Sequence, residues 1–227
     1  MNRQSLDIGR SLTYMFEEED WVTKFLIAVG MVLLSFLILP AFILQGYVIE
    51  IIRRVGRNQV PVLPVWENWS EYLKEGFMAT LALIVYSLPA ILPACCIVFF
   101  ATAMTDQQTG ELEGAATLLI CCVALLIILF SLAVYLIYYA GLIRYAETRQ
   151  FGSFFEFGRL WRFIRENGTN YGYAVLIIIL SSLIGGFIPI IGAAWAYLVG
   201  GHVLGQVLRL SGGGAGIPTD PFETPAL

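Results

Sequence analysis

Charge is scarce in this chain. Only 13% of its 227 residues are Asp, Glu, Lys or Arg, against 58% hydrophobic residues, whereas an ordinary soluble domain is about one quarter charged. A chain this apolar, with mean hydropathy +0.77, could not cover a water-facing surface without large exposed patches. Histidine is scarcer still, His202 being the only one, so most acid–base and metal schemes lose their usual residue. No HExxH, GxSxG or Walker loop occurs, nor a pair of intramembrane aspartates, and an enzyme is not expected. With no Arg/Lys-rich block and a net charge of −4, the chain offers nothing to nucleic acid. What is present is length without charge: residues 25–49, 76–105 and 114–143 carry none. Each run exceeds the roughly 20 apolar residues that cross hydrocarbon about 30 Å thick as a helix. The weak alternation of a membrane barrel is missing, which leaves helices. The expected fold class is all-α, a polytopic transmembrane bundle of five to six hydrophobic helices.

Residues 1–20 read as an amphipathic lead-in, with Ile8, Leu12, Met15 and Phe16 on one face at helical spacing. The first apolar stretch follows the acidic run at 17–20 and lacks a small-residue cleavage signature, so it is expected to stay as an anchor. Residues 21–210 form one transmembrane helical domain. Gly185-Gly186 and Pro189 divide its last apolar stretch into two helices. The Gly/Pro-rich tail, 211–227, is expected to be disordered.

All 13 Lys and Arg residues lie in the N-terminal segment, in the polar segments at 53–75 and 144–168, or at Arg209. The connection at 105–113 has none and carries Asp106, Glu111 and Glu113. Basic residues mark the cytoplasmic side. A hairpin turning near Pro40 would place every one of them there, with the C-terminus. A single crossing by residues 21–52 would instead put Arg3 and Arg10 outside. Length opposes the hairpin, since each leg would have only about 14 residues where 17–25 are usual. A thin or re-entrant hairpin reconciles the two. A weak internal repeat accompanies this layout: Gly46, Arg54, Trp66 and Glu71 recur at the same spacing as Gly141, Arg149, Trp161 and Glu166.

Two amphipathic helices are expected at the cytoplasmic interface. The first places Trp66, Trp69 and Leu73 in a stripe. The second places Phe154, Phe157, Trp161 and Ile164 beside Arg159, Arg162 and Arg165. Tryptophan favours the headgroup level and arginine pairs with anionic lipid headgroups, so Trp66, Trp69, Trp161 and the three arginines are the candidate membrane-interface residues. Sealing the rim of the bundle is the plainer use of both helices.

In the last helix Gly192, Ala196 and Gly200, then Gly201 and Gly205, recur every four residues. This small-residue ladder lets a helix backbone approach closely, within the chain by default or in self-association or contact with other membrane proteins. His202 is the one candidate for a cofactor or pigment, yet no second ionisable group is visible beside it at depth. No other cofactor and no metal is expected. Cys95-Cys96 and Cys121-Cys122 lack ligands at metal spacing and read as small apolar fillers at helix contacts. Glu50 beside Arg53 and Arg54 reads as a boundary ion pair, and no ionisable pair is expected in the interior.

Three strings, DIGRSLTYMFEEEDWVTKFLI, GYVIEIIRRVGRNQVPVLPVWENW and GGHVLGQVLRL, resemble an uncharacterised prokaryotic polytopic membrane family, domain of unknown function family 4013. The most specific matches are Gly46, Tyr47, Arg53, Arg54, Leu63, Pro64, Trp66 and Trp69. The resemblance covers about residues 5–210 and implies a prokaryotic cell membrane and a multi-helix bundle, without a catalytic residue. The functional expectation is a non-enzymatic accessory or scaffold subunit of the cytoplasmic membrane. The alternative is a small transporter or channel, for which the repeat and the Pro-broken helices speak. A pigment-binding subunit, resting on His202, comes third.

Overall fold

The computed structural model describes residues 6–103 and 114–212. Every regular element among them is helical. The described residues of Met1–Thr80 and Tyr139–Leu227 form one compact unit, and those of Leu81–Tyr138 a second. The acidic connection and nearly all of the Gly/Pro-rich tail fall outside the described residues.

Helix α1, Ile8–Thr13, tightens into a 3-10 turn, Tyr14–Glu17. Asp7 caps it by accepting from the Arg10 N–H. The change of pitch at Tyr14 alters the inward face. Ser11, Tyr14 and Met15 are buried, while Ile8 and Phe16, expected on that face, are exposed. Helix α2, Trp21–Leu33, ends in a second 3-10 turn, Leu34–Leu37, and α3 spans Leu39–Gly56. The break is Ile38 at φ 67°, with Pro40 in the first turn of α3, where a missing N–H costs nothing. Lys24, near the start of α2, donates to the Leu63 carbonyl at 3.0 Å, beyond the end of α3. The two helices are therefore antiparallel, a hairpin turning near Pro40. Its second leg is longer than the charge-free sequence allowed, because α3 continues through Glu50, Arg53 and Arg54, whose charges pair with one another. At 1.5 Å per residue α3 measures about 27 Å. The tip exposes Leu34, Phe36, Leu37 and Ile38, side chains suited to hydrocarbon.

Helices α4, Trp69–Ala103, and α5, Gly114–Thr148, have 35 residues each. The expected first interfacial helix is not a separate element. Residues 58–68, with Pro61 and Pro64, are non-helical, so Trp66 lies in a loop while Trp69 and Leu73 belong to the opening turns of α4. A 3-10 turn, Phe151–Phe155, leads into α6, Phe157–Glu166, the expected second amphipathic helix. Helices α7, Gly168–Gly185, and α8, Pro189–Leu210, are separated at the predicted Gly-Gly/Pro break. Among the described residues four segments are long and apolar enough to cross a membrane: Trp69–Ile91, Ile120–Thr148, Gly168–Gly185 and Pro189–Leu210. The pair Ile8–Glu17 and Trp21–Leu37, bent by 105°, brings the number to five if it forms one broken span.

In the first unit α8 is central, packed on α7, α3 and α2. The glycine ladder serves two partners. A Cβ on Gly192 would stand 2.1 Å from the Gly185 oxygen of α7, and Ala196 lies beside the same glycine. Gly200 approaches Ile178 of α7 less closely. On the other side a Cβ on Gly205 would meet Val55 at 2.6 Å, and one on Gly201 would meet Val48 at 3.2 Å, both on α3. Small residues thus set the interhelical distance on both flanks of α8.

In the second unit Tyr86 and Tyr138 meet edge to face, with centroids 6.5 Å apart. Leu88, Leu125 and Ile128 point outward. Cys95, Cys96, Cys121 and Cys122 are free and exposed. The expectation that they fill helix contacts is corrected: they lie on the outer surface of α4 and α5, where an apolar thiol suits a hydrocarbon environment.

Candidate functional site

The polar residues of the first unit gather where α3, α5 and α8 end and α4 and α7 begin. At their centre is Arg53, 1% exposed. Its Nε donates to the Ala146 carbonyl of α5 at 3.1 Å, Nη1 donates to Glu50, and Nη2 donates to Glu75 of α4 at 2.9 Å. One guanidinium thereby ties three helices, using the fixed fork of donors that lysine lacks. Arg54 shares Glu50, and Arg149 joins Glu71 at 2.8 Å with its Nε 3.9 Å from Glu75. Glu50 was expected to form a boundary ion pair and does. The expectation of no interior ionisable pair is overturned, because Glu75 is only 6% exposed. Glu75 stands 22 residues from Arg53 along the chain, and no local spacing links them. Glu75 Oε1 accepts from Arg53, while the buried Oε2 has no hydrogen-bond partner among the described residues. The chemistry open to such a carboxyl is to take up or release a proton.

The loop from α3 to α4 closes over this network through an aromatic clasp. Tyr47 stacks on Trp66 with centroids 3.9 Å apart and planes 2° from parallel, and Tyr72 meets both rings edge-on. The Tyr47 hydroxyl donates to the Pro64 carbonyl and the Trp66 indole donates to the Lys24 carbonyl. Glu18 accepts from the Leu63 N–H and from Lys24. Gly46 admits the backbone of Tyr72, where a Cβ would come within 1.9 Å of its carbonyl oxygen. Seven of the eight residues that carried the family resemblance, from Gly46 to Trp66, are therefore parts of one assembly or of the ion network beside it. Trp69 is the eighth and leans on Trp66 at 5.5 Å.

His202 occupies a second polar cluster, between α8 and the N-terminal segment. Its ring stacks on Tyr14 at 4.2 Å and its Nδ1 lies 3.1 Å from Ser11 Oγ. Gln206 accepts from the Asp7 N–H at 2.8 Å and donates to the Asp7 carbonyl and to Ser11. The Tyr14 hydroxyl donates to the Leu198 carbonyl. These bonds fasten α1 across the end of α8. Among the described residues no three His, Cys, Asp or Glu side chains converge as a metal site.

The remaining candidate residues separate by exposure. Trp66, placed at the membrane interface from sequence, is 8% exposed inside the clasp, and Trp69 is partly exposed. Trp161 of α6 is 63% exposed, with Arg159, Arg162 and Arg165 exposed on the same helix. Arg159 pairs with Glu156 at 2.9 Å. Residues that sequence reading missed are Glu75, Ser11 and Arg144. Their only signal was a polar side chain in or beside an otherwise apolar helix.

The class these features define is an all-α protein whose long apolar helices fit a multi-pass membrane protein, its first unit held together by buried charge and ring stacks. Residues 32–196 match the family described as "Protein of unknown function (DUF4013)", and the chain belongs to that family. It is also 29% identical over 146 residues to the uncharacterized protein MJ1189 of Methanocaldococcus jannaschii, a match covering 63% of this chain and 46% of that protein. The chain thus spans less than half the length of that relative. No solved structure matches it.

Proposed function

We propose that this chain resides in the cytoplasmic membrane as a multi-pass, non-enzymatic accessory or scaffold subunit, with its basic end toward the cytoplasm. One observation carries the reading: the buried side chains of the two polar clusters in the first unit bind one another. Arg53, Glu50 and Glu75 bind each other, and His202, Ser11 and Gln206 do the same. Groups so engaged rigidify a bundle. The orientation is supported by the basic residues at that end. Gentle purification from source membranes, followed by mass spectrometry of everything retained, tests the role. A stoichiometric partner protein is the expected result. A single species carrying only lipid would contradict it.

A second reading, a small transporter or channel, is favoured by Glu75 Oε2, a buried oxygen with no hydrogen-bond partner among the described residues. Ionisable groups inside membrane helices commonly mark ion or proton paths. Here the carboxylate sits against Arg53, which argues for a fixed charge in place of a shuttling one.

A further inference from the structure

We infer that a cavity beside α6 binds one monoanionic phosphodiester headgroup of a membrane lipid, an assignment independent of the accessory role. The cavity, about 330 Å³, lies between the last turn of α5, the helix α6, the start of α7 and the end of α8. That volume falls at the small end of ligand pockets, roughly 300–1,000 Å³. Three candidate spans, Ile120–Thr148, Gly168–Gly185 and Pro189–Leu210, terminate around it, which sets it at headgroup depth. Exposed Trp161 stands on the same helix and lines an adjoining cavity with Arg162 and Arg165, as expected of an indole at that level.

The walls carry the charge that a phosphate needs. Arg144, Arg159 and Arg162 line the cavity, with Glu147 and Glu166 as the opposing carboxylates. Arg144 is held by Glu147, leaving its buried Nε without a hydrogen-bond partner among the described residues. Arg162 forms no ion pair among the described residues, so its guanidinium is available to a bidentate phosphate contact. Asn167, also in the wall, precedes α7 without capping it, its amide donating instead to the Phe163 carbonyl. The first turn of α7 therefore adds the positive end of a helix dipole. Arg144 pairs with Glu147 and Arg159 with Glu156, so Arg162 is the one lining cation without an ion pair among the described residues, a single charge matched to a phosphodiester monoanion and poorly matched to a polyanion.

The test is native mass spectrometry of the delipidated full chain, titrated with phosphatidylglycerol, phosphatidylcholine or inorganic phosphate. One phosphatidylglycerol should be retained in preference to phosphatidylcholine. Arg162→Gln, an exposed change that should leave the melting temperature unaltered, should lower that retention about tenfold, the scale of one charge-assisted hydrogen bond. Arg162→Lys should recover part of it. Lys74→Gln, which removes an exposed charge outside the cavity, should change nothing. Equal retention of the two lipids, or full retention by Arg162→Gln, would overturn the assignment. Displacement of the lipid by millimolar inorganic phosphate would overturn its lipid part and leave a free-phosphate site.

Discussion

Replacing Arg53 by Met keeps the apolar stem of a buried side chain and deletes its charge. Glu50 would retain Arg54 at 3.2 Å. Glu75 would retain only Arg149, whose Nε lies 3.9 Å away on a side chain 45% exposed. Glu75 Oε2 has no hydrogen-bond partner among the described residues, so one buried carboxylate becomes nearly uncompensated and the Ala146 carbonyl loses its donor. Breaking one side of a buried pair costs about 3–5 kcal/mol. In a chain of this size 1 kcal/mol moves the unfolding midpoint by about 2–4 °C, so a fall of roughly 6–20 °C is expected. The companion is Arg53→Met with Glu75→Met, which removes both charges. Apolar replacement of a whole buried pair is often neutral or better, so the double variant should recover most of the loss. Arg149→Gln, which breaks the exposed pair with Glu71, should cost no more than about 1 kcal/mol. Thermal unfolding followed by tryptophan fluorescence, at fixed detergent and lipid, gives all four values. A drop below about 2 °C for Arg53→Met would refute the reasoning. So would a double variant as damaged as the single one.

Three further perturbations probe the packing. Gly205→Leu drives a side chain into Val55 and the Ile52 carbonyl and should destabilise by about 1–3 kcal/mol or more; an unchanged melt would remove the α3–α8 contact from the argument. Gln206→Leu strips the Asp7 N–H of its acceptor and should cost roughly 1–3 kcal/mol. Its readout is faster proteolysis within residues 8–20, and undiminished protection there would count against the fastening of α1. Trp66→Ala opens the clasp against Tyr47 at about 3–5 kcal/mol, measured as the same thermal midpoint, which should stay unchanged only if the stack is incidental.

The sequence was most legible where the physics is one-dimensional. Charge-free runs of 25 residues or more announced the long helices, and Gly185-Gly186 with Pro189 announced the break between α7 and α8. The basic residues favoured the hairpin at Pro40 against the count of apolar residues. That count misled because charge was taken to end a helix, whereas Glu50, Arg53 and Arg54 continue α3 by pairing. The ion network itself was hidden, since Arg53 and Glu75 lie far apart in sequence and meet only when α3 packs on α4. Trp66 was misplaced for a related reason. Its spacing to Trp69 suits a helix, but the prolines before it keep the chain irregular and Tyr47 captures the ring. Ser11, a small polar residue in a short helix, gave no hint that it would reach His202.

The central claim is that the buried charges hold the bundle together and carry nothing across it. The most direct measurement is proton uptake into proteoliposomes under an imposed pH gradient, read with an internal pH dye. It compares the full chain, Glu75→Gln and protein-free vesicles. The expected result is the same passive leak in all three. Uptake above the protein-free rate that disappears in Glu75→Gln, with the variant's melting temperature preserved, would contradict the claim and make Glu75 a transport group.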